Sequence, residues 1–147
     1  MLERVRSILG EDHRDWQKLV AILDAHPDEP LHDPESPDWT SRDVYTHLTH
    51  MMEWTARAIE TAAANKPRMQ PQSGMTEDEW NAELKRRSEH LSQSEAKTRA
   101  QAAFEHRVRA IESVPDERWD DELFEIASHD GAGHFRGHMS YIVTNQP

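Results

Sequence analysis

The chain has no cysteine. Disulfides, thiolate metal sites and a cysteine nucleophile are therefore excluded. The redox compartment stays open, although a cysteine-free acidic chain is compatible with the cytoplasm. No apolar run approaches the length needed to span a bilayer. The start, Met1-Leu-Glu-Arg-Val-Arg, reads as the first turn of an amphipathic helix and lacks the apolar segment of a signal peptide. Positive charge is also scarce. Seventeen Lys and Arg stand against 28 Asp and Glu, a formal net charge of −11. The nearest thing to a basic stripe, Lys85-Arg86-Arg87, sits among glutamates. Most of such a surface repels a phosphate backbone and anionic lipid, so neither nucleic acid nor a membrane is an expected partner. No alternating run closed by a hairpin turn suggests strands, and neither a solenoid repeat nor a low-complexity tract is present.

What is there suits one domain, residues 1–147, with one sizeable core. Hydrophobic residues make up 35% and charged residues 31%. That is polar for a globular chain, but Trp16, Trp39, Trp54, Trp80 and Trp119 are large groups to bury, and disordered chains are poor in these. Ten histidines is a high count for this length, and with cysteine absent any metal site must be built from His, Asp and Glu.

Proline and glycine divide the chain into four helical stretches. The first runs from about Leu2 to His26, where Pro27 stops it. Val5, Ile8, Leu9, Asp12, Trp16, Leu19, Val20 and Leu23 recur there at helical spacing, with Asp12 as the one polar interruption. Pro27 to Trp39, with four prolines and five acidic residues, reads as a loop across an end of the bundle. This acidic stretch either attracts a cationic partner or, the preferred reading, is a solvated connector. Thr40-Ser41-Arg42-Asp43 has the form of a capping box and opens a second helix to about Asn65, with Pro67 ending it. Lys66 to Met75, with Pro67, Pro71 and Gly74, is a second loop. Thr76-Glu77-Asp78-Glu79 starts a long third helix reaching about Val114. Trp80, Leu84, Leu91, Thr98 and Ala102 form its stripe. Phe104, Val108 and Ile111 continue that stripe slightly displaced, which predicts a bend near Ser92 to Ser94. Pro115 to Ala127 is ambiguous, with a short helical turn after Val114 and an extended Leu123 to Ile126 both open. The last helix starts near Ser128 or Asp130, either of which can cap it, and runs to about Thr144. Four such helices suggest a bundle.

His134 and His138 lie four apart in that last helix, about 40° from each other on one face, so two imidazoles can chelate one ion. Beside Phe135, Met139 and Ile142 they sit at the edge of the apolar stripe. On the second helix, with Val44 at zero, His47 falls at about −60°, at the edge of the stripe, and His50 at about −120°, nearer solvent. His47 is therefore the inward histidine. Three neutral imidazoles with an open position are a common catalytic arrangement for a borderline divalent ion. The competing reading of the spacing is a pair of packed, hydrogen-bonded core histidines.

Two segments carry a resemblance. Trp39-Thr-Ser-Arg-Asp-Val-Tyr-Thr-His-Leu, residues 39–48, and Gly133-His-Phe-Arg-Gly-His-Met-Ser-Tyr-Ile, residues 133–142, resemble motifs of the DinB-like superfamily, with its DinB/YfiT-type metalloenzymes, thiol transferases and mycothiol-dependent maleylpyruvate isomerases. The resemblance implies an all-α four-helix bundle of up-up-down-down topology with a long crossover, often a homodimer. It implies that His47, His134 and His138 bind a divalent metal such as zinc or nickel, with water completing the site. It also implies a small-molecule substrate, and a low-molecular-weight thiol or water as the group activated for transfer, isomerisation or hydrolysis. The alternatives kept open are a non-catalytic small-molecule-binding or protective bundle with a structural or vestigial site, and a helical partner-binding module.

The remaining candidates each have a plain counterpart. Glu53 and Asp130 are possible general bases or groups that orient an imidazole, against the preferred readings of a solvated helix carboxylate and a helix cap. His50 is a neighbour of the site or, preferred, a solvent-facing histidine. His129 lines an entrance or is exposed. His13, His26, His32, His90 and His106 have no partner identifiable from sequence. Trp54 and Trp80 line a cavity or belong to the core, and Met51, Met52 and Met69 are soft ligands or, preferred, gap fillers.

Overall fold

A computed structural model describes residues 1–69 and 75–145, the last three by backbone alone. Pro71 and Gly74 of the expected second loop lie outside the described residues. The described chain is helical, without strands. Its α-helices are α1 (Glu3–Asp24), α2 (Ser41–Ala63), α3 (Glu77–Ser88), α4 (Gln93–Glu112), α5 (Asp121–Ala127) and α6 (Ala132–Asn145), with a 3-10 turn at Asp116–Arg118. None of them is long and apolar enough to cross a membrane.

The first two helices follow their sequence signals. Val5, Leu9, Trp16, Leu19 and Leu23 bury one face of α1. At α2 the capping box forms, with the Thr40 N–H donating to Asp43 Oδ2 at 3.0 Å. Asn65, at φ 57°, turns the chain out of α2 before Pro67 is reached, a left-handed conformation that Asn tolerates.

The expected long third helix is two helices. Ser92 caps α4, its Oγ accepting from the Glu95 N–H at 3.0 Å while Glu95 returns a bond to the Ser92 N–H. Ser92-Gln93-Ser94-Glu95 is thus a capping box, and the predicted bend is a full break. The restart resets the helical phase. Ala96, Ala100, Ala103, Phe104, Ala110 and Ile111 point inward, and the predicted stripe positions Thr98 and Ala102 face solvent. Leu123 to Ile126 is helical rather than extended, because Asp120 caps α5 through the Leu123 N–H at 2.9 Å.

Cross-helix contacts set the directions. Asp24, at the end of α1, accepts from Tyr45 at the start of α2 and pairs with Lys97 at the start of α4. So α1 is antiparallel to both, and α2 and α4 are parallel to each other. Ala132 and Arg136 of α6 meet Asp12 and Asp15 of α1 in the same order, so these two are parallel. In chain order α1, α2, α4 and α6 run up, down, down and up, which corrects the expected up-up-down-down order. Parallel neighbours α2 and α4 need a connection that returns the length of the bundle. That is α3, which runs back along α2 from Trp80 beside His50, through Asn81 beside His47, to Lys85 beside Asp43.

Two apolar clusters fill the bundle. One joins Trp16, Leu19, Leu48, Met52, Phe104 and Phe135, and the other Val5, Leu9, Ile59, Ile111, Leu123 and Ile126. The proline-rich loop is not merely solvated. Leu31 is fully buried, its N–H bonded to the Trp39 carbonyl at 2.8 Å, and Trp39 packs its ring 5.4 Å from that of His47.

Candidate metal centre

The polar interruption of α1 builds the floor under the site. Asp12 is buried and paired with the fully buried Arg107 of α4 at 3.1 Å. Arg107 also donates to the carbonyls of Ala127 and His129, both at 2.6 Å, which clamps the α5–α6 connection. The other oxygen of Asp12 accepts from the Ala132 N–H at 2.9 Å and so caps α6 from a different helix. Neither expected cap plays that part. Ser128 ends α5, and Asp130 turns its carboxylate elsewhere.

With α6 placed this way, His134 and His138 face His47 across the α2–α6 groove. The Nε2 atoms of His47 and His134 are 3.2 Å apart and those of His134 and His138 are 3.0 Å apart. All three histidines offer ring nitrogens within 4.8 Å of one another. His47 and His138 are buried, and His134 is partly open. The structure thus brings the three histidines singled out from sequence together and leaves His50 out of the cluster.

Two of the three outward nitrogens, those of His47 and His138, have a hydrogen-bond partner. His47 Nδ1 is 3.0 Å from Asn81 Oδ1, an acceptor, so it donates. His134 Nδ1 is buried without a hydrogen-bond partner and faces the Asp130 carboxylate at 3.4 Å. His138 Nδ1 is 2.7 Å from the Tyr141 hydroxyl, a group that can accept from the ring. A neutral imidazole protonated on Nδ1 carries a lone pair on Nε2. With all three rings in that tautomer, His134 presents its Nε2 lone pair to those of His47 and His138 at 3.2 and 3.0 Å, where lone pairs repel. A cation between them removes that conflict. Tetrahedral coordination with metal–nitrogen bonds of about 2.0–2.1 Å places such atoms roughly 3.3 Å apart, so the donor set fits a divalent ion.

The electrostatics agree. Burial pushes the His47 imidazole down to about 4, with His134 adding to the effect, and pushes His138 well below its ordinary value. Both rings are neutral near pH 7, the form that ligates. For Asp130, burial raises the carboxyl, but His134 and the Thr55 hydroxyl outweigh it and hold the group below the usual carboxylate range. Thr55 Oγ1 donates to Asp130 Oδ2, and Asp130 itself adopts φ 59°, which aims its side chain at α2 and His134. Asp130 is thus the carboxylate that faces His134.

Glu53 lies elsewhere, bonded to His106 Nδ1 at 2.7 Å. His106 therefore has partners, Glu53 and Glu60, and His26 has Glu29. His50 is half-buried and accepts from Trp80 Nε1 at 2.6 Å, so it is not simply solvent-facing. His129 is exposed, and Met52 is a fully buried packing group. Asn81 and Tyr141 escaped the sequence reading. Tyr141 lies one turn beyond His138 within the quoted motif, whereas Asn81 reaches His47 only because α3 folds back. A cavity of about 330 Å³ opens onto His134 and His138 and is lined also by Asp33, Glu35 and Tyr141.

The family model of the mycothiol maleylpyruvate isomerase N-terminal domain matches residues 9–137, most of the chain. No curated protein and no solved structure matches it.

Proposed function

The chain belongs to the mycothiol maleylpyruvate isomerase N-terminal domain family, within the DinB-like superfamily, and from that membership and the imidazole geometry we propose a divalent-metal-dependent enzyme acting on a small molecule, with His47, His134 and His138 as the ligands. The single observation that carries this is the convergence of ring nitrogens of the three histidines within 4.8 Å of one another. A bound zinc or nickel ion supplies Lewis acidity and makes a water or thiol that reaches it more acidic.

The protein's own groups do the rest. Asn81 and Tyr141 hold two of the rings in the ligating tautomer, and the Asp130 carboxylate faces the third. Asp33 and Glu35 line the cavity beside His134 and His138. The cavity reaches two of the three histidines, and this favours an open catalytic position over a closed structural site. The family's name joins a low-molecular-weight thiol to an isomerisation, and a chain without cysteine must take any thiol from outside. Thiol-dependent transfer or isomerisation is therefore the leading reaction, with hydrolysis second. The same membership leads us to expect a cytoplasmic homodimer.

Metal analysis of purified protein tests the reading. Near-stoichiometric zinc or nickel is expected, falling to background in His134→Ala. Protein without metal, whose melting is unchanged by chelator or added zinc, overturns it.

A further inference from the structure

A second cavity, of about 280 Å³, lies between α2, α3 and α4 and contains none of the three clustered histidines. Its apolar floor is Leu84, Leu91 and Ala96, and its rim carries Arg57, Arg87 and Arg99. On a chain of net charge −11 this is a concentration of positive charge in a concave place. The arginines are largely unspent. Arg99 has no ion pair among the described residues. Arg57 reaches Glu53 only at 3.9 Å, and Glu53 is already engaged by His106. Glu83 takes the Nε of Arg87 at 2.8 Å and leaves its terminal nitrogens available.

A further observation points inward. Thr46, which lines this cavity, has a hydroxyl oxygen that is buried and lacks a hydrogen-bond partner. A buried hydroxyl without a partner costs about 1–3 kcal/mol, and a ligand oxygen seated in the cavity satisfies it. Guanidinium groups recognise carboxylates through paired N–H donors, while the leucine and alanine floor has nothing to offer a hydrated inorganic ion.

We propose that this cavity binds a small organic anion, a carboxylate on a short apolar body, with Arg57, Arg87 and Arg99 as its charge partners and Thr46 as a donor at depth. The site is separate from the histidine cluster and does not depend on the metal. Trp80 is its reporter, because its indole bonds His50, on the cavity wall, and lies 5.2 Å under the Arg87 guanidinium.

Titration of the full chain with benzoate, followed by calorimetry and by the Trp80 indole N–H resonance, tests this. Saturable binding that moves the Trp80 signal is expected. It should weaken roughly tenfold in the Arg87→Gln/Arg99→Gln variant, as loss of charge-assisted hydrogen bonds implies, and less in Thr46→Val, with melting unchanged in both. It should persist in His138→Ala and after chelation, which separates this site from the metal centre. Four results overturn the proposal: no saturable binding, binding unaltered by the arginine changes, loss only in His138→Ala, or benzyl alcohol or inorganic phosphate binding as tightly as benzoate.

Discussion

Asp130 shows how much one residue can decide. Its left-handed backbone and its bond from Thr55 hold its carboxylate against His134, a proposed metal ligand. Removing such a partner typically lowers metal affinity by roughly 10–100-fold. Asp130→Asn should do so, read by competition with a chromogenic chelator, with the fold unchanged by circular dichroism. Gly131, the next residue, is required for a different reason. A Cβ there would lie 2.5 Å from both Arg107 Nη2 and Asp12 Oδ1, and neither group can give way without breaking the buried pair. Gly131→Ala should therefore lower the melting temperature. Arg107→Met strands a buried Asp12 carboxylate and should cost about 3–5 kcal/mol in urea denaturation, with metal affinity falling too as the clamp on the α5–α6 connection opens.

At the scale of elements, the break between α3 and α4 matters most. Ser92 satisfies an otherwise orphaned amide at the start of α4, and Ser92→Ala should cost about 1 kcal/mol, measured as a shift in the denaturation midpoint. Thr40 and Thr76 were legible as caps because hydroxyl and carboxylate stand three apart before an apolar run. Ser92 and Glu95 satisfy the same rule, yet the apolar pattern on both sides is close enough in phase to read through them as one bent helix. The cap of α6 was beyond reach of any local rule, since it comes from Asp12 in the first helix. The facing of His134 and His138 was readable because i and i+4 share a helix face whatever the fold, and that of His47 because its wheel position borders an apolar stripe. Asn81 was not, because its role exists only once α3 lies against α2.

For the molecule as a whole, the two buried histidines tie stability to pH. Their folded-state pKa values are lowered, His47 to about 4 and His138 well below its ordinary value. Between those values and about 6.5 the unfolded chain binds more protons than the native one. Their contribution is therefore full above about pH 6.5 and is lost as pH falls toward the folded values. His106 works the other way. Burial lowers its pKa, but Glu53 and Glu60 more than offset this and raise it, so its smaller, half-exposed contribution is lost as pH rises through the raised value. Melting of metal-free protein should thus weaken steeply from pH 7 down to pH 4. Added zinc should raise the melting temperature at pH 7 and lose that effect with acidification, as protons compete for the same nitrogens.

Local order was readable along the chain: helix type, most caps, the acidic surface, the lack of any cysteine and the inward histidine of each helix. These depend on neighbours within a few residues, whose spacing is set by the 3.6-residue turn. The tertiary structure alone decided the helix directions, the inter-helix cap from Asp12, the hydrogen-bond partners of His47 and His138, and the convergence of three nitrogens within 4.8 Å. Those depend on contacts between residues as far apart as Asp12 and Ala132, which no local periodicity encodes and which only the packing of the bundle brings together.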